Sequence, residues 1–431
     1  MFATHRTVRW AAAGLLSLTM ALPAAAPAGP PVGGADGRPG APTPGAPDGR
    51  GGSVLGVPRH SSDDALRDLA RSDGTLERTA CPGPRRRIDR RWRVTRGIDA
   101  RIWDLRDADG RTMRASLLTV RHGLSRLRVD YIGPHIIGNT LTTSTHAARR
   151  RAIAAVNADF FDISDTGAPL GIGVDRHRGI RHGTVDGWVP ELGYQPAFWM
   201  KDGRPQIGAL TVRAHMKQHP KWRLHTVNAP YVPEHVFGVY TRAWGTTSGV
   251  SVTDGQEGRE VVVEDGRVVA NHWKLSANKK IRGFVIVGRG ERAKQLSTLA
   301  VGDPVTISQH VGPVRPAMAI SGDRPILDDG RLTVVNNTIR HPRTAVGIDR
   351  DRGRLLMLVV DGRSTISCGA TMVGLGRLLR RLGADDALNF DGGGSSTMYT
   401  RWPNGDMGVV NRPSDGSERP VADVLGVVVR R

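Results

Sequence analysis

The chain has 431 residues and a formal net charge of +20, from 61 lysines and arginines against 41 aspartates and glutamates. A field of that sign favours anionic partners. There is nonetheless no zinc-finger spacing, RNP-type motif or basic helix with interleaved aromatics, so the common nucleic-acid-binding modules are excluded and no nucleic-acid partner is expected.

Residues 1–28 read as a signal peptide. His5, Arg6 and Arg9 precede an apolar run from Ala11 to Leu22, and small residues around Ala26 and Ala28 offer a cleavage site. That run is short for a bilayer, and no later stretch reaches the ~18 consecutive apolar residues of a spanning helix. The mature protein is therefore expected to be secreted, with no stable membrane insertion. Residues 29–90 are rich in Pro, Gly and Arg and poor in large apolar side chains, so burial cannot offset the entropy of ordering them. They read as a flexible linker with a short helix over Asp64–Leu69.

The remainder, 91–431, exceeds the usual ~100–200 residues of one domain and reads as a catalytic domain with a β-rich insertion or subdomain over 195–308. Ala115–Val120 and Leu127–Tyr131 have strand composition, separated by the turn-prone Arg121-His122-Gly123. Thr142–Arg151 reads as a helix and Ala152–Val156 as a strand leading into Asn157-Ala158-Asp159-Phe160-Phe161. In the middle region, Glu260–Glu264 followed by Asp265-Gly266 is a hairpin signal, and Gly283–Gly288 a buried strand. The fourteen histidines form no metal-binding spacing and read as surface or packing residues.

The last third carries the sharpest pattern. Leu355–Val360 is a six-residue apolar run, the mark of a strand buried on both faces, and it ends in Asp361-Gly362-Arg363. Met372, Leu375, Leu378, Leu379 and Leu382 then recur at helical spacing, with Thr371 or Ser367 as cap and Gly383 as terminator. A further strand ends in Asn389-Phe390-Asp391, before Gly392-Gly393-Gly394-Ser395-Ser396-Thr397. Strand, helix, strand points to an α+β (mixed α/β) fold, a mixed sheet flanked by helices. If the two strands are parallel neighbours, Asp361 and Asp391 emerge at one sheet edge, where open α/β sheets bind ligands. Cys81 and Cys368 are the two cysteines, and in an oxidising compartment they are expected to form a disulfide.

Arg343–Ile348, Asp361-Gly362-Arg363, Ala387–Met398 and Val410–Val421, in that order, resemble the phosphodiester glycosidase family, whose best-known activity removes N-acetylglucosamine from a phosphodiester on a glycan. The similarity extends from about Thr95 onward, and includes Asn157 to Asp162 and the stretch from Val239 to Thr247. One departure stands out: the family's N-G-G-F-F is Asn157-Ala158-Asp159-Phe160-Phe161 here, so the resemblance carries the reaction class further than the sugar.

The resemblance implies a hydrolase acting on sugar 1-phosphodiesters, with a sugar phosphate or anionic glycopolymer as substrate. Glycosidic cleavage of a phosphodiester releases the phosphate as a weakly basic anion that gains little from protonation, unlike the leaving groups of ordinary glycosidases. Such a site relies on positive charge, and Arg343 is suited to grip phosphate, with Arg363 a second candidate. Asp391 is assigned as nucleophile or base and Asp361 as its partner, with the reverse assignment open. Asn157, Asp159, Phe161, Asn389, Gly392, Gly393, Gly394, Ser395, Ser396 and Thr397 are assigned to the substrate, with Phe160 sharing the stacking role of Phe161. The glycines let backbone amides approach a ligand. No cofactor is required by this chemistry, although Asp159, Asp361 and Asp391 are oxygen ligands of the type that hold Ca2+ or Mg2+. Two other readings stay open, a non-catalytic binder of anionic envelope polysaccharide and a metal-dependent phosphodiesterase.

Overall fold

The computed structural model describes residues 61–62, 81–184 and 195–430. The signal-peptide reading, most of the linker and the helix over Asp64–Leu69 lie outside the described residues. Among the described residues strands make up 47% and helical segments 9%, with three α-helices, Thr143–Arg149, Glu291–Leu296 and Met372–Leu382. This overturns the α+β expectation. The sheets are antiparallel throughout, apart from a two-residue parallel pairing of Thr226–Val227 with Phe237–Thr241.

The strand–helix–strand reading failed for a definite reason. Arg354–Val360 and Asp386–Phe390 do run in the same direction, but they are not neighbours. Arg343–Asp349 fills the slot between them, antiparallel to both, with Arg343 opposite Val360 and Thr344 opposite Phe390. This central strand belongs to an eight-stranded sheet, whose next strand beyond Arg354–Val360 is Thr112–Arg121. All seven residues of Arg343–Asp349 are buried.

Alternation sends successive side chains to opposite faces of this sheet. One face carries Ala345, Leu356, Leu358 and Val360, and packs on Leu375, Leu378 and Leu379 of the helix Met372–Leu382. Burying each such leucine is worth about 1.5–3 kcal/mol. The helix starts where Thr371 Oγ1 accepts the amide of Gly374 at 2.9 Å and stops at Gly383, whose φ of 101° is the left-handed terminator expected of glycine.

The other face carries Val346, Ile348, Met357, Val359 and Phe390, and meets Ile153, Ala154, Val156, Leu425 and Val427 of a five-stranded sheet. In that sheet the C-terminal strand Val424–Val429 lies between Leu127–Ile132 and Ala152–Asn157. A twelve-stranded sheet draws on strands from Gly173–Asp175 to Met318–Ser321 and takes in most of the strands within 195–308, where Thr246–Ser248 and Ala277–Lys280 pair as a separate two-stranded sheet. Its hairpin at Asp265-Gly266 has φ angles of 47° and 75°, as a tight two-residue turn requires. Cys81 and Cys368 form the expected disulfide, with Cα atoms 5.5 Å apart across a sequence separation of 287.

Candidate active site

The interposed strand decides where the acidic residues emerge. Its N-terminus lies between the C-termini of Arg354–Val360 and Asp386–Phe390, so Arg343, Asp361 and Asp391 share one sheet edge. With strands ~4.8 Å apart, the backbones of Asp361 and Asp391 flank residues 342–343 at roughly 10 Å from each other. The turn after Asp391 folds over this strand, the amide of Gly393 donating to the carbonyl of Pro342 at 2.9 Å.

Side-chain contacts then separate the three. Arg343 shares the face of Val360, and its Nε donates to the carbonyl of Ala370 at 3.3 Å. Asp361, one residue past Val360, takes the alternate face. Its Oδ1 accepts from Asn411 Nδ2 at 3.1 Å and from the amide of Arg412 at 3.0 Å. Burial outweighs these two bonds and pushes the Asp361 carboxyl up to about 6.

Asp391 is fully buried and tied to the second sheet through its backbone. Its amide donates to the carbonyl of Ala158 at 2.8 Å, and its carbonyl accepts from Asn157 Nδ2 at 2.6 Å. Asn157 Oδ1 in turn accepts from Thr344 Oγ1 at 2.8 Å and from the amide of Thr397 at 3.0 Å. One carboxamide thus joins the central strand, the Asp391 turn and the strand Ala152–Asn157. Asp159 lies close enough to feel the charge of Asp391, and its amide donates to Asp423 Oδ1 at 3.0 Å. Desolvation first, then the carboxylate of Asp423, holds the Asp159 carboxyl well above the usual range.

Of the glycine-rich turn, Ser395, Ser396 and Thr397 are buried, and Ser396 Oγ and Thr397 Oγ1 have no hydrogen-bond partner among the described residues. Gly394 leaves room for the ion pair of Arg419 with Asp415, at 2.9 Å. Arg363 is exposed and pairs its Nη2 with His341 Nδ1 at 2.9 Å. Asn389 donates to Asp323 Oδ1 at 2.8 Å. Phe161 packs with Ile132, Ala147 and Val424, and its backbone bonds to Ser62, while Phe160 is likewise buried.

Sequence reasoning missed His182, Asp423, Asn411 and Arg412 as site residues. His182 is neither a surface residue nor a packing residue alone. It is fully buried, with Nδ1 2.8 Å from the carbonyl of Gly171 and Nε2 3.2 Å from the hydroxyl of Tyr131 and 3.4 Å from Asp423 Oδ2. Among the described residues, the side chains spaced to share a metal ion are Asp159, His182 and Asp423, rather than Asp159, Asp361 and Asp391. Asn411 and Arg412 belong to a stretch singled out in the sequence, but only their contacts to Asp361 show what they do.

The chain is similar to several known proteins. The chain is 38% identical over 89 residues to YomE, a prophage-derived protein of Bacillus subtilis (strain 168), a match covering 21% of this chain and 13% of that protein. In fold it resembles a hypothetical protein from Synechocystis, with a TM-score of 0.65, 22% identity and 80% of this chain covered against 64% of the other, less than two thirds of it. It also resembles a putative exported protein from Burkholderia pseudomallei, with a TM-score of 0.61, 21% identity and 74% of each chain covered. Residues 240–428, which contain Arg343, Asp361, Asp391 and the glycine turn, match the family model for phosphodiester glycosidases.

Proposed function

We propose that this chain is an exported hydrolase that cleaves the glycosidic bond of sugar 1-phosphodiesters, such as those of N-acetylglucosamine or of envelope glycopolymers. The observation that carries the reading is the family match over 240–428, together with the emergence of its two aspartates and its arginine at one sheet edge. The disulfide, the apolar N-terminal run and a fold shared with a putative exported protein support export. No helix among the described residues is long and apolar enough to cross a membrane.

In this reading Asp391 attacks the anomeric carbon or activates water, the anomeric C–O bond breaks, and the phosphate departs with its electron pair as a monoester that does not need a proton. Asp361 is the second carboxyl group, and its ionisation near pH 6 makes it responsive to the medium. Arg343 supplies a guanidinium for the departing phosphate, and the amides of the glycine turn add donors to the developing charge. The test is release of reducing sugar from a sugar 1-phosphodiester in oxygen-18 water. The label is expected in the sugar, and Asp391→Asn is expected to abolish release while keeping the unfolding midpoint within the wild-type transition. Label in the phosphate, or undiminished turnover by Asp391→Asn, would refute the assignment.

A further inference from the structure

Asp159, His182 and Asp423 come together where the five-stranded and twelve-stranded sheets meet. Asp159 lies two residues past the strand Ala152–Asn157, Asp423 immediately before Val424–Val429, and His182 within Gly179–Thr184. Each offers a ligand atom within 4.8 Å of the other two, and all three are buried, the most exposed at 2%. Ligand distances of ~2.0–2.6 Å around one cation put such atoms within about 5 Å of each other.

Three further observations concern the ligand atoms themselves. A carbonyl oxygen only accepts, so the 2.8 Å contact with Gly171 places the hydrogen of the neutral ring on His182 Nδ1 and turns the Nε2 lone pair toward the carboxylates. Metal-binding histidines are oriented in this way by a backbone carbonyl. Asp159 Oδ2 and Asp423 Oδ2 are buried with no hydrogen-bond partner among the described residues. Gly171 admits the carboxylate, since a Cβ there would stand 2.8 Å from Asp159 Oδ1. Two desolvated carboxylates side by side need a compensating positive charge, and a divalent cation supplies it more fully than one imidazolium.

We propose that Asp159, His182 and Asp423 bind one divalent first-row transition ion, Mn2+ or Zn2+. The imidazole nitrogen disfavours Ca2+ and Mg2+, which take oxygen ligands. The Tyr131 hydroxyl, 3.2 Å from Nε2, turns from the ring to a carboxylate oxygen when the ion is held. The ion ties the two sheets together and places positive charge beside Asp159 and, through it, near Asp391. The inference does not depend on the glycosidase reading, because an inactive protein that holds the ion leaves it intact.

The test uses the full chain purified from medium supplemented with Mn2+ or Zn2+, so that the buried site loads as the protein folds. Mass-spectrometric metal analysis is expected to find one ion per chain, and pulsed paramagnetic resonance of the Mn2+ form to show coupling to a histidine nitrogen. His182→Gln and Asp423→Asn are expected to lower the occupancy at least tenfold. Wild-type protein that retains neither ion, Mn2+ bound without nitrogen coupling, or folded variants that retain as much ion as wild type each overturn the proposal. Should both variants fail to fold, the wild-type stoichiometry and nitrogen coupling decide the matter alone.

Discussion

Asn157 and Asp391 are joined by a 2.6 Å hydrogen bond from a side-chain amide to a main-chain carbonyl, and this bond couples the end of one sheet to the turn that closes another. The same side chain accepts from Thr344 and Thr397. Asn157→Ala therefore strands three buried polar groups at once. It is expected to cost about 2–4 kcal/mol, each unsatisfied group costing ~1–3 kcal/mol before relaxation. Urea unfolding with an unchanged slope would measure it, and a loss below about 1 kcal/mol would show that the junction repacks.

Asp361 makes stability depend on pH in an unusual direction. Its carboxyl rises from 3.8 to about 6 on folding, so between those values the folded chain holds a proton that the unfolded chain has released. Stability from this group falls as pH rises through that window, and the penalty is complete above about pH 6. Asp361→Asn removes the dependence. Relative to wild type it is expected to gain up to about 3 kcal/mol between pH 3.5 and pH 7.5, a two-unit shift at ~1.4 kcal/mol each. Denaturant titrations at both pH values measure the difference, and parallel curves would count against a raised carboxyl.

Gly392 and Gly394 answer differently to the same substitution. A Cβ on Gly392 would stand 2.7 Å from the carbonyl oxygen of Pro342, a backbone atom of the segment entering the central strand. Gly392→Ala is expected to destabilise by about 1–3 kcal/mol through overpacking. The atoms nearest a Cβ on Gly394 are the tips of Arg419 and Asp415, which can swing away, so Gly394→Ala is expected to cost less than Gly392→Ala while breaking that ion pair. Thermal unfolding of the two variants side by side tests the order.

The disulfide closes a very long loop, its cysteines separated by 287 in sequence. Replacing Cys81 and Cys368 together by Ala is expected to lower stability by about 3–5 kcal/mol on the chain-entropy account. Reductant should reproduce the effect in the wild type and leave the variant unchanged. Equal unfolding midpoints with and without reductant would contradict this.

Much of the local structure was legible. The helix Met372–Leu382 with its Thr371 cap and Gly383 stop, the Asp265-Gly266 hairpin and the apolar strand ending at Val360 all follow from periodicity and turn chemistry. The partners of those strands were not. Leu355–Val360 and Arg343–Ile348 are both rich in buried apolar residues, and such composition does not say which strand lies beside which. A helix between two strands of like direction therefore suggested adjacency, where a third strand intervenes. The common edge of Asp361 and Asp391 survived the error because an antiparallel insert preserves the direction of its two flanks. His182 and Asp423 escaped notice because each stands alone in its segment, and only the docking of separate sheets brings them to Asp159.

The position of Val424–Val429 inside its sheet has a consequence for biogenesis. Because this segment is flanked by Leu127–Ile132 and Ala152–Asn157, those two early strands have nothing to hold between them until residue 429 has cleared the ribosome and, if the chain is exported, the translocation pore. Asn157, Asp159 and Asp423 reach their final neighbours only when it inserts. An arrested nascent chain lacking it is expected to remain open to proteases, so that the emergence of this strand, rather than folding from the N-terminus onward, sets the moment at which the protein matures.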